Sequence, residues 1–304
     1  LISNPQELDC IIIGAGAAGL TAATYLARFR RQFITIDAGQ SRLLSIPTSH
    51  NYPGYPAGIH GHDILDRMRS QMVHYGKSVV ADKVRRLEKR PDGSFIASGE
   101  HGEWHARTVI LATGVVDVPP DFPDVQDAIA RGCLRYCPIC DGYEAIGKKA
   151  AVIGKGKGGL GEAIFVRHFA AEVTLLSLTE ALDLSEEDRQ RLAHASVRVI
   201  HEPVSSMRLR EEGMIEVQLR DGGQERFEVV YAALGTRVNS ELARSLGAAC
   251  APNGELRVDE HQQTSVDGLY AVGDVVAGLN QITVAMGHAA IAATAVHNRL
   301  RERD

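Results

Sequence analysis

Leu8-Asp9-Cys10-Ile11-Ile12-Ile13-Gly14-Ala15-Gly16-Ala17-Ala18-Gly19 is the stretch whose reading decides the fold. Its first half is a short apolar run, suited to a parallel strand buried on both faces. Its second half reads G-x-G-x-x-G and leads into a helical pattern over residues 20–29. A second strand, Gln32-Phe33-Ile34-Thr35-Ile36, ends at Asp37. A bare G-x-G-x-x-G is weak evidence, since a glycine-rich turn needs no ligand. Strand, turn, helix, strand and acid in this order are far more specific. The glycines let the backbone approach a pyrophosphate, the helix start favours its negative charge, and the acid accepts from ribose hydroxyls.

The same plan recurs downstream. Lys149-Ala150-Ala151-Val152-Ile153 runs into Gly154-Lys155-Gly156-Lys157-Gly158-Gly159, a helix reaching residue 170 and a strand at Val173-Thr174-Leu175-Leu176. Each copy later carries an apolar strand ending in a small turn. These are Val109-Ile110-Leu111-Ala112-Thr113-Gly114 and Val229-Val230-Tyr231-Ala232-Ala233-Leu234-Gly235. The interval between fingerprint and turn is longer in the first copy, which therefore carries an insertion. Residues 116–123, with three prolines, read as a linker, and a second crossover is expected within residues 235–245. The tail belongs elsewhere: Gly268-Leu269-Tyr270-Ala271-Val272-Gly273-Asp274 is a strand ending in Gly-Asp, and residues 283–300 read as a helix. The expected architecture is α/β, with two Rossmann-like dinucleotide-binding domains. The second, residues 118–243, is inserted into a discontinuous first domain made of 1–117 and 244–304.

Between the fingerprints lies Tyr136-Cys137-Pro138-Ile139-Cys140-Asp141-Gly142-Tyr143. Two thiols at Cys-x-x-Cys spacing can close a disulfide, and a thiol near a helix start ionises more easily. Pro138 suits the first helical position, where its missing N–H costs nothing. With an acid following the pair, in a chain of flavin-binding pattern, the stretch reads as a flavin-linked dithiol/disulfide exchanger. The competing reading is a zinc site on Cys133, Cys137 and Cys140, which lacks a second Cys-x-x-Cys or a nearby histidine. Cys10, in mid-strand, and Cys250, in a loop, read as filler or spectators.

Bulk properties agree. A length of 304 residues accommodates two domains, each with its own core. The 30 glycines exceed what a plain core needs and fit repeated backbone-to-phosphate approaches. A net charge of -5 argues against a nucleic-acid surface. Five cysteines, an odd number without framework spacing, point to a reducing compartment. Residues 10–27 carry no charge and superficially resemble a signal peptide or a membrane span. Glu7 and Asp9 precede them where a signal carries positive charge, and Gly14, Gly16, Gly19, Thr21 and Thr24 break the apolarity. The expected location is the cytoplasm.

In its order of motifs the chain resembles the low-molecular-weight thioredoxin reductases over essentially its whole length. The matching pieces are the first fingerprint, Asn51-Tyr52-Pro53-Gly54, the Ala112-Thr113-Gly114 turn, Cys137-x-x-Cys140-Asp141, the second fingerprint and Gly273-Asp274. The resemblance implies FAD in the first domain, a redox disulfide on the second, a homodimer, thioredoxin or a thioredoxin-like protein as partner, and a domain rotation that presents the disulfide to flavin or partner. By the same resemblance Cys140 is the flavin-side thiol, Cys137 attacks the partner disulfide and Asp141 moves the proton, which wants a carboxyl of raised pKa. Around FAD it places Gly14, Gly16, Ala17, Ala18, Asp37, Ala38, Gly39 and Arg42, then Asn51, Val84, Ala112, Thr113 and Gly114. Gly273 follows, Asp274 holds the ribityl chain, and the N–H groups of Gln281 and Ile282 face the pyrimidine ring. A helix start there suits the negative charge of reduced flavin.

The second fingerprint, with Gly154, Gly156 and Gly159 as nicotinamide-site candidates, departs from that family. Thioredoxin reductases carry a His-Arg-Arg run and a further Arg after the following strand, which clamp the 2′-phosphate of NADPH. Here those positions read Ser177-Leu178-Thr179-Glu180-Ala181-Leu182-Asp183, with two acids and no arginine. Charge-assisted Arg–phosphate bonds contribute roughly 1.5–3 kcal/mol each, so NADPH preference is not expected. Three readings stay open: NADH, with Glu180 or Ser177 near its ribose; a loop repurposed by Lys155 and Lys157, with electrons from ferredoxin or another carrier or with the flow reversed; or NADPH held by residues other than such a clamp. In the reversed case the protein is a flavin-dependent oxidase of a small-molecule or protein dithiol with oxygen as acceptor. Relatives of that kind tend to carry His after the second Cys, so Asp141 argues for the reductase direction.

Overall fold

Three consecutive buried isoleucines suit a strand covered on both faces, and Leu8–Ile13 is such a strand. It pairs in parallel with Phe33–Asp37 on one side and Glu103–Leu111 on the other, with Ile11 opposite Ile34 and Val109. The computed structural model describes residues 8–154, 156–178 and 182–302, and the side chains of residues 156 and 157 fall outside that description. Two compact units emerge. The first comprises Leu1–Leu44, Gly61–Val116 and Val238–Asp304; the second comprises Ser45–His60 and Asp117–Arg237.

In the first unit the sheet runs Val79–Ala81, Phe33–Asp37, Leu8–Ile13, Glu103–Leu111, Phe95–Ser98, Arg86–Lys89, and Leu269–Ala271 also pairs in parallel with Glu103–Leu111. The antiparallel strands at 86–98 and the helix Gly61–His74 account for the longer first interval. The helix Ala17–Arg28 starts earlier than the 20–29 pattern because Gly16 is already its N-cap, so Gly19 lies inside the first turn. The helix Ile282–Arg301 closes the unit.

The second unit repeats the strand order. Val197–Val199, Glu172–Leu176, Lys149–Gly154, Val229–Ala233 and Leu134–Arg135 form a parallel sheet, and three antiparallel strands at 204–209, 215–219 and 224–227 stand beside it. Both units are Rossmann-like. The chain returns to the first unit between residues 237 and 238, ahead of the 243/244 boundary drawn from sequence, because Val238 and Ala243 already pack in the first unit's core. Residues 45–60, drawn with the first domain, group with the second unit. A mutual backbone pair between Ser49 and Ile59 closes them into a loop, and Asn51 Nδ2 donates to the carbonyl of Ile139 at 3.5 Å.

Candidate functional site

In the first unit the fingerprint gathers its partners around one loop. Ala15 N–H donates to Asp37 Oδ1 at 2.8 Å, and Gly39 N–H donates to Asp37 Oδ2 at 2.9 Å. The acid thus fixes the loop, and its remaining lone pairs suit ribose hydroxyls. Ala112 N–H donates to the Ile13 carbonyl at 2.8 Å, which sets the Ala112-Thr113-Gly114 turn beside Gly14. The turn is held from outside the fingerprint by Asn239, whose Nδ2 donates to the Thr113 carbonyl at 2.9 Å and whose carbonyl accepts from Thr113 Oγ1 at 2.6 Å. Gly273, at φ +76, comes so near Ala18 that an added Cβ would lie 3.0 Å from the Ala18 methyl. Arg42 Nη1 reaches Asp274 Oδ2 at 2.9 Å. Val84 packs against the core, Ala38 is exposed, and Gln281 is the N-cap of the last helix.

The fingerprint glycines divide into two kinds. A Cβ on Gly14, at φ +105, would collide with the Ala112 carbonyl, and one on Gly19 with the Gly14 carbonyl, so strand and helix approach at these two positions. A Cβ on Gly16 meets nothing nearer than Ser41 Oγ at 3.3 Å. Packing does not demand glycine there, and the open face leaves room for a ligand to approach the backbone. Gly16 also caps its helix without a side-chain bond, which leaves the first-turn N–H groups to a pyrophosphate. The first unit therefore fits FAD.

In the second fingerprint, packing explains the glycines at its ends. A Cβ on Gly154 would strike the Gly159 backbone, and one on Gly159 would sit 2.8 Å from Gly154 Cα. Gly156 opens the helix Gly156–Arg167. Beyond the strand Glu172–Leu176, Ser177 is buried and Asp183 exposed. Lys155, Thr179, Glu180, Ala181 and the Lys157 side chain lie outside the described residues.

The redox turn is built in the second unit. Val230 pairs with Leu134, which delivers the chain to a single helical turn, Pro138–Asp141, with Cys137 as its N-cap. Cys137 and Cys140 are joined in a disulfide with Cα atoms 5.3 Å apart. Cys133 is buried and donates to the Gly213 carbonyl at 3.1 Å. A disulfide offers no thiolate to zinc, and the Cys133 thiol is engaged elsewhere. Gly142 follows because a Cβ there would meet the Pro138 carbonyl at 2.5 Å and the Phe169 ring at 2.8 Å.

Asp141 stands directly behind Cys140. Its carbonyl accepts from Arg135 Nη1 at 2.6 Å and from the Tyr231 hydroxyl at 3.2 Å. Its Oδ1 is buried without a hydrogen-bond partner among the described residues, with Arg135 Nη1 3.8 Å away. Burial pushes the carboxyl up from 3.8 to about 6, Arg135 opposing. That is the acid strength a proton donor near neutral pH requires. Tyr231 and Asn239 escaped the sequence reading because each acts on a group far from it in sequence, and Arg135 because nothing in its spacing from Asp141 directs the guanidinium there.

A stability cost follows from the raised carboxyl. The native state binds this proton more tightly than the unfolded chain, so its contribution is complete below about pH 4 and is lost as pH rises through about 6. The shift corresponds to about 3 kcal/mol. Asp141→Asn is expected to flatten that slope and to be the more stable protein at pH 8, by about 2 kcal/mol. Guanidinium unfolding midpoints from pH 4 to 8 test this; parallel curves for the two proteins would refute it.

A dinucleotide cradle in one unit and a closed Cys-x-x-Cys-Asp turn in the other define the class: a two-domain disulfide oxidoreductase of flavoprotein type. The chain belongs to the pyridine nucleotide-disulphide oxidoreductase family, whose model matches residues 8–289. Within that family it is similar to thioredoxin reductases. It is 26% identical to that of Bacillus subtilis over 313 residues, covering 99% of this chain and 97% of the relative. It is 30% identical to that of Treponema pallidum over 298 residues, covering 95% and 96%. The crystal structure of thioredoxin reductase from Streptococcus pyogenes superposes with a TM-score of 0.88 at 27% identity, covering 98% of this chain and all of that one. Among the described residues no helix is long and apolar enough to cross a membrane.

Proposed function

We propose that the protein is an FAD-dependent disulfide reductase that passes two electrons through flavin and the Cys137–Cys140 pair to thioredoxin or a thioredoxin-like protein. The observation that carries this is the disulfide turn with a mostly buried acid behind it and apolar side chains exposed around it: Ile139 at 51%, Tyr143 at 75% and Ile146 at 54%. Exposed apolar side chains around a reactive pair suit a protein surface. Gly14, Gly16, Ala17, Ala18, Asp37, Arg42, Asp274 and the helix start at Gln281 and Ile282 would hold FAD. When bound, FAD supplies the electron pair that opens the disulfide. Cys137, as thiolate, attacks the partner disulfide and displaces one partner sulfur, giving a mixed disulfide. Cys140 then attacks Cys137, the second partner sulfur leaves, and Cys137–Cys140 closes again. Asp141 holds the proton that a leaving thiolate takes up. The relatives named as thioredoxin reductases support thioredoxin as the partner and this direction of flow; a cytoplasmic homodimer is the working form we propose with it.

The donor we propose is not NADPH. No Lys or Arg occurs from residue 168 to 188, while Glu180 and Asp183 stand at the phosphate-clamp positions. Each acid opposes a 2′-phosphate by roughly 1 kcal/mol or more at surface-like dielectric. In anaerobic stopped-flow reduction by NADH, NADPH and reduced ferredoxin, NADPH is expected to reduce the flavin no faster than NADH. Saturable reduction by micromolar NADPH with NADH inert would overturn this. Inertness to both, with fast reduction by ferredoxin, would assign the donor to a protein carrier. Oxygen consumption driven by a dithiol, without reduction by any of the three, would overturn the reductase direction itself.

A further inference from the structure

Asp141 is accompanied in its unit by a second partly buried acid. Glu162 lies on the helix Gly156–Arg167, which packs against the redox turn Pro138–Asp141. Its Oε1 is buried without a hydrogen-bond partner among the described residues, as is Asp141 Oδ1. A buried carboxylate oxygen with no donor is costly, and two like charges near one another raise that cost for whichever ionises second. The surrounding charges are unequally shared. Asp141 has Arg135 from the strand Leu134–Arg135 and, farther off, Lys148, opposed by Glu144; Tyr231 donates to its carbonyl. Glu162 feels chiefly burial and the charge of Asp141 itself. Arg167, on its own helix, is directed to the Ala170 carbonyl at 3.0 Å.

We propose that Glu162 and Asp141 form a coupled carboxyl pair that keeps one proton beside the redox turn at neutral pH, Glu162 being the positioning residue that holds it in reserve for Asp141. Burial raises Asp141 to about 6; burial first, and then Asp141, raise Glu162 from 4.5 to about 7. Such groups titrate in two steps that belong to the pair. Opening the disulfide with two electrons yields two thiolates. Glu162 passes the pair's one proton to the Asp141 carboxylate, Asp141 delivers it to one of the thiolates, and Glu162, which is not fully enclosed, recovers a proton from solvent. Electrons come from the bound cofactor and protons from the pair, so no further reactant is needed. This role rests on the disulfide-reductase reading, but its test need not.

The test is pH-difference infrared spectroscopy of the oxidised, FAD-loaded protein, with no donor or partner present. Wild type is expected to lose a neutral-carboxyl stretch with a midpoint near pH 7, Glu162→Gln to lack that band, and Glu162→Asp to restore it. Single-turnover reoxidation of the dithiol by a small aromatic disulfide is then followed against pH. Glu162→Gln is expected to move its basic limb down by about half a pH unit or more, the effect of removing a like charge from the pair. An unchanged band and an unchanged limb in Glu162→Gln would overturn the pair. Should that variant not fold, Asp141→Asn supplies the test, because coupling requires it to lower the midpoint of the Glu162 band; an unmoved midpoint overturns the proposal. A wild type inert to the aromatic disulfide at every pH would instead sink the reductase reading, while the band still decides the pair.

Discussion

Cys140→Ser is expected to cut turnover of a protein disulfide by roughly a thousandfold or more, the order of loss that follows removal of a covalent nucleophile, and to turn the protein into a trap. The remaining Cys137 thiol can still attack a partner disulfide, but no resolving thiol stands at hand to release the product. A mixed disulfide should accumulate, visible as a reducible adduct by mass spectrometry. Cys137→Ser should lose as much turnover and form no such adduct. Instead its Cys140 thiolate should give a long-wavelength charge-transfer band with bound flavin. The two variants differ only if the thiols have separate tasks. Adducts trapped on Cys140, or the band in Cys140→Ser, would exchange the roles proposed for them; full turnover in either variant would remove the pair from the reaction.

What the sequence made legible was whatever a few neighbouring residues decide together. Ile11-Ile12-Ile13 read as a strand covered on both faces because the apolar run is short, β-branched, without alternation and stopped by Gly14. Cys137-Pro138-Ile139-Cys140 had to be a turn that brings two sulfurs together. The fingerprint was legible in a more qualified sense. Gly14 with Gly19, and Gly154 with Gly159, serve the same strand-to-helix approach in both units. The motif therefore reports packing first and a ligand second, so glycines kept in the second copy do not by themselves indicate a bound dinucleotide. Asp37 makes the same point, since it holds Ala15 and Gly39 in addition to any ribose.

What stayed hidden depends on which strands lie side by side. Asn239 meets a turn 126 positions away. Tyr231 meets Asp141 across 90 positions because Val230 pairs with Leu134. Arg135 is only six positions from Asp141, yet nothing in the spacing says that its guanidinium would bind the carbonyl behind Cys140. Glu162 looks like an ordinary helix acid until burial shows its oxygen without a partner. The acid strength of Asp141 is of this kind too. The letter D after a Cys-x-x-Cys pattern gives a carboxyl, and the enclosing helix and strand make it a weak one.

Gly16→Val is expected to give a folded protein that binds no flavin, and the two halves of that statement rest on different observations. Folding should survive because Gly16 has φ −79 and ψ −165, a conformation open to any residue, and an added Cβ meets only the Ser41 hydroxyl. The cost to the helix is the poorer N-cap, about 1 kcal/mol. Flavin binding should fail because two further methyl groups fill the face of the loop where a pyrophosphate must touch backbone N–H groups. Gly14→Ala and Gly19→Ala make the contrast. Each drives a methyl into a backbone carbonyl, Gly14 from a left-handed φ as well, so both should lose the first unit's structure along with the flavin. The comparison has to be made between flavin-free proteins, since a ligand bound only by the native state raises stability by itself. Far-ultraviolet dichroism and unfolding midpoints of the stripped forms then report the fold, and visible absorbance after incubation with excess FAD reports binding. Stoichiometric FAD in Gly16→Val would show that the pyrophosphate does not lie against Gly16, and would move the cofactor away from this loop whatever the fold implies.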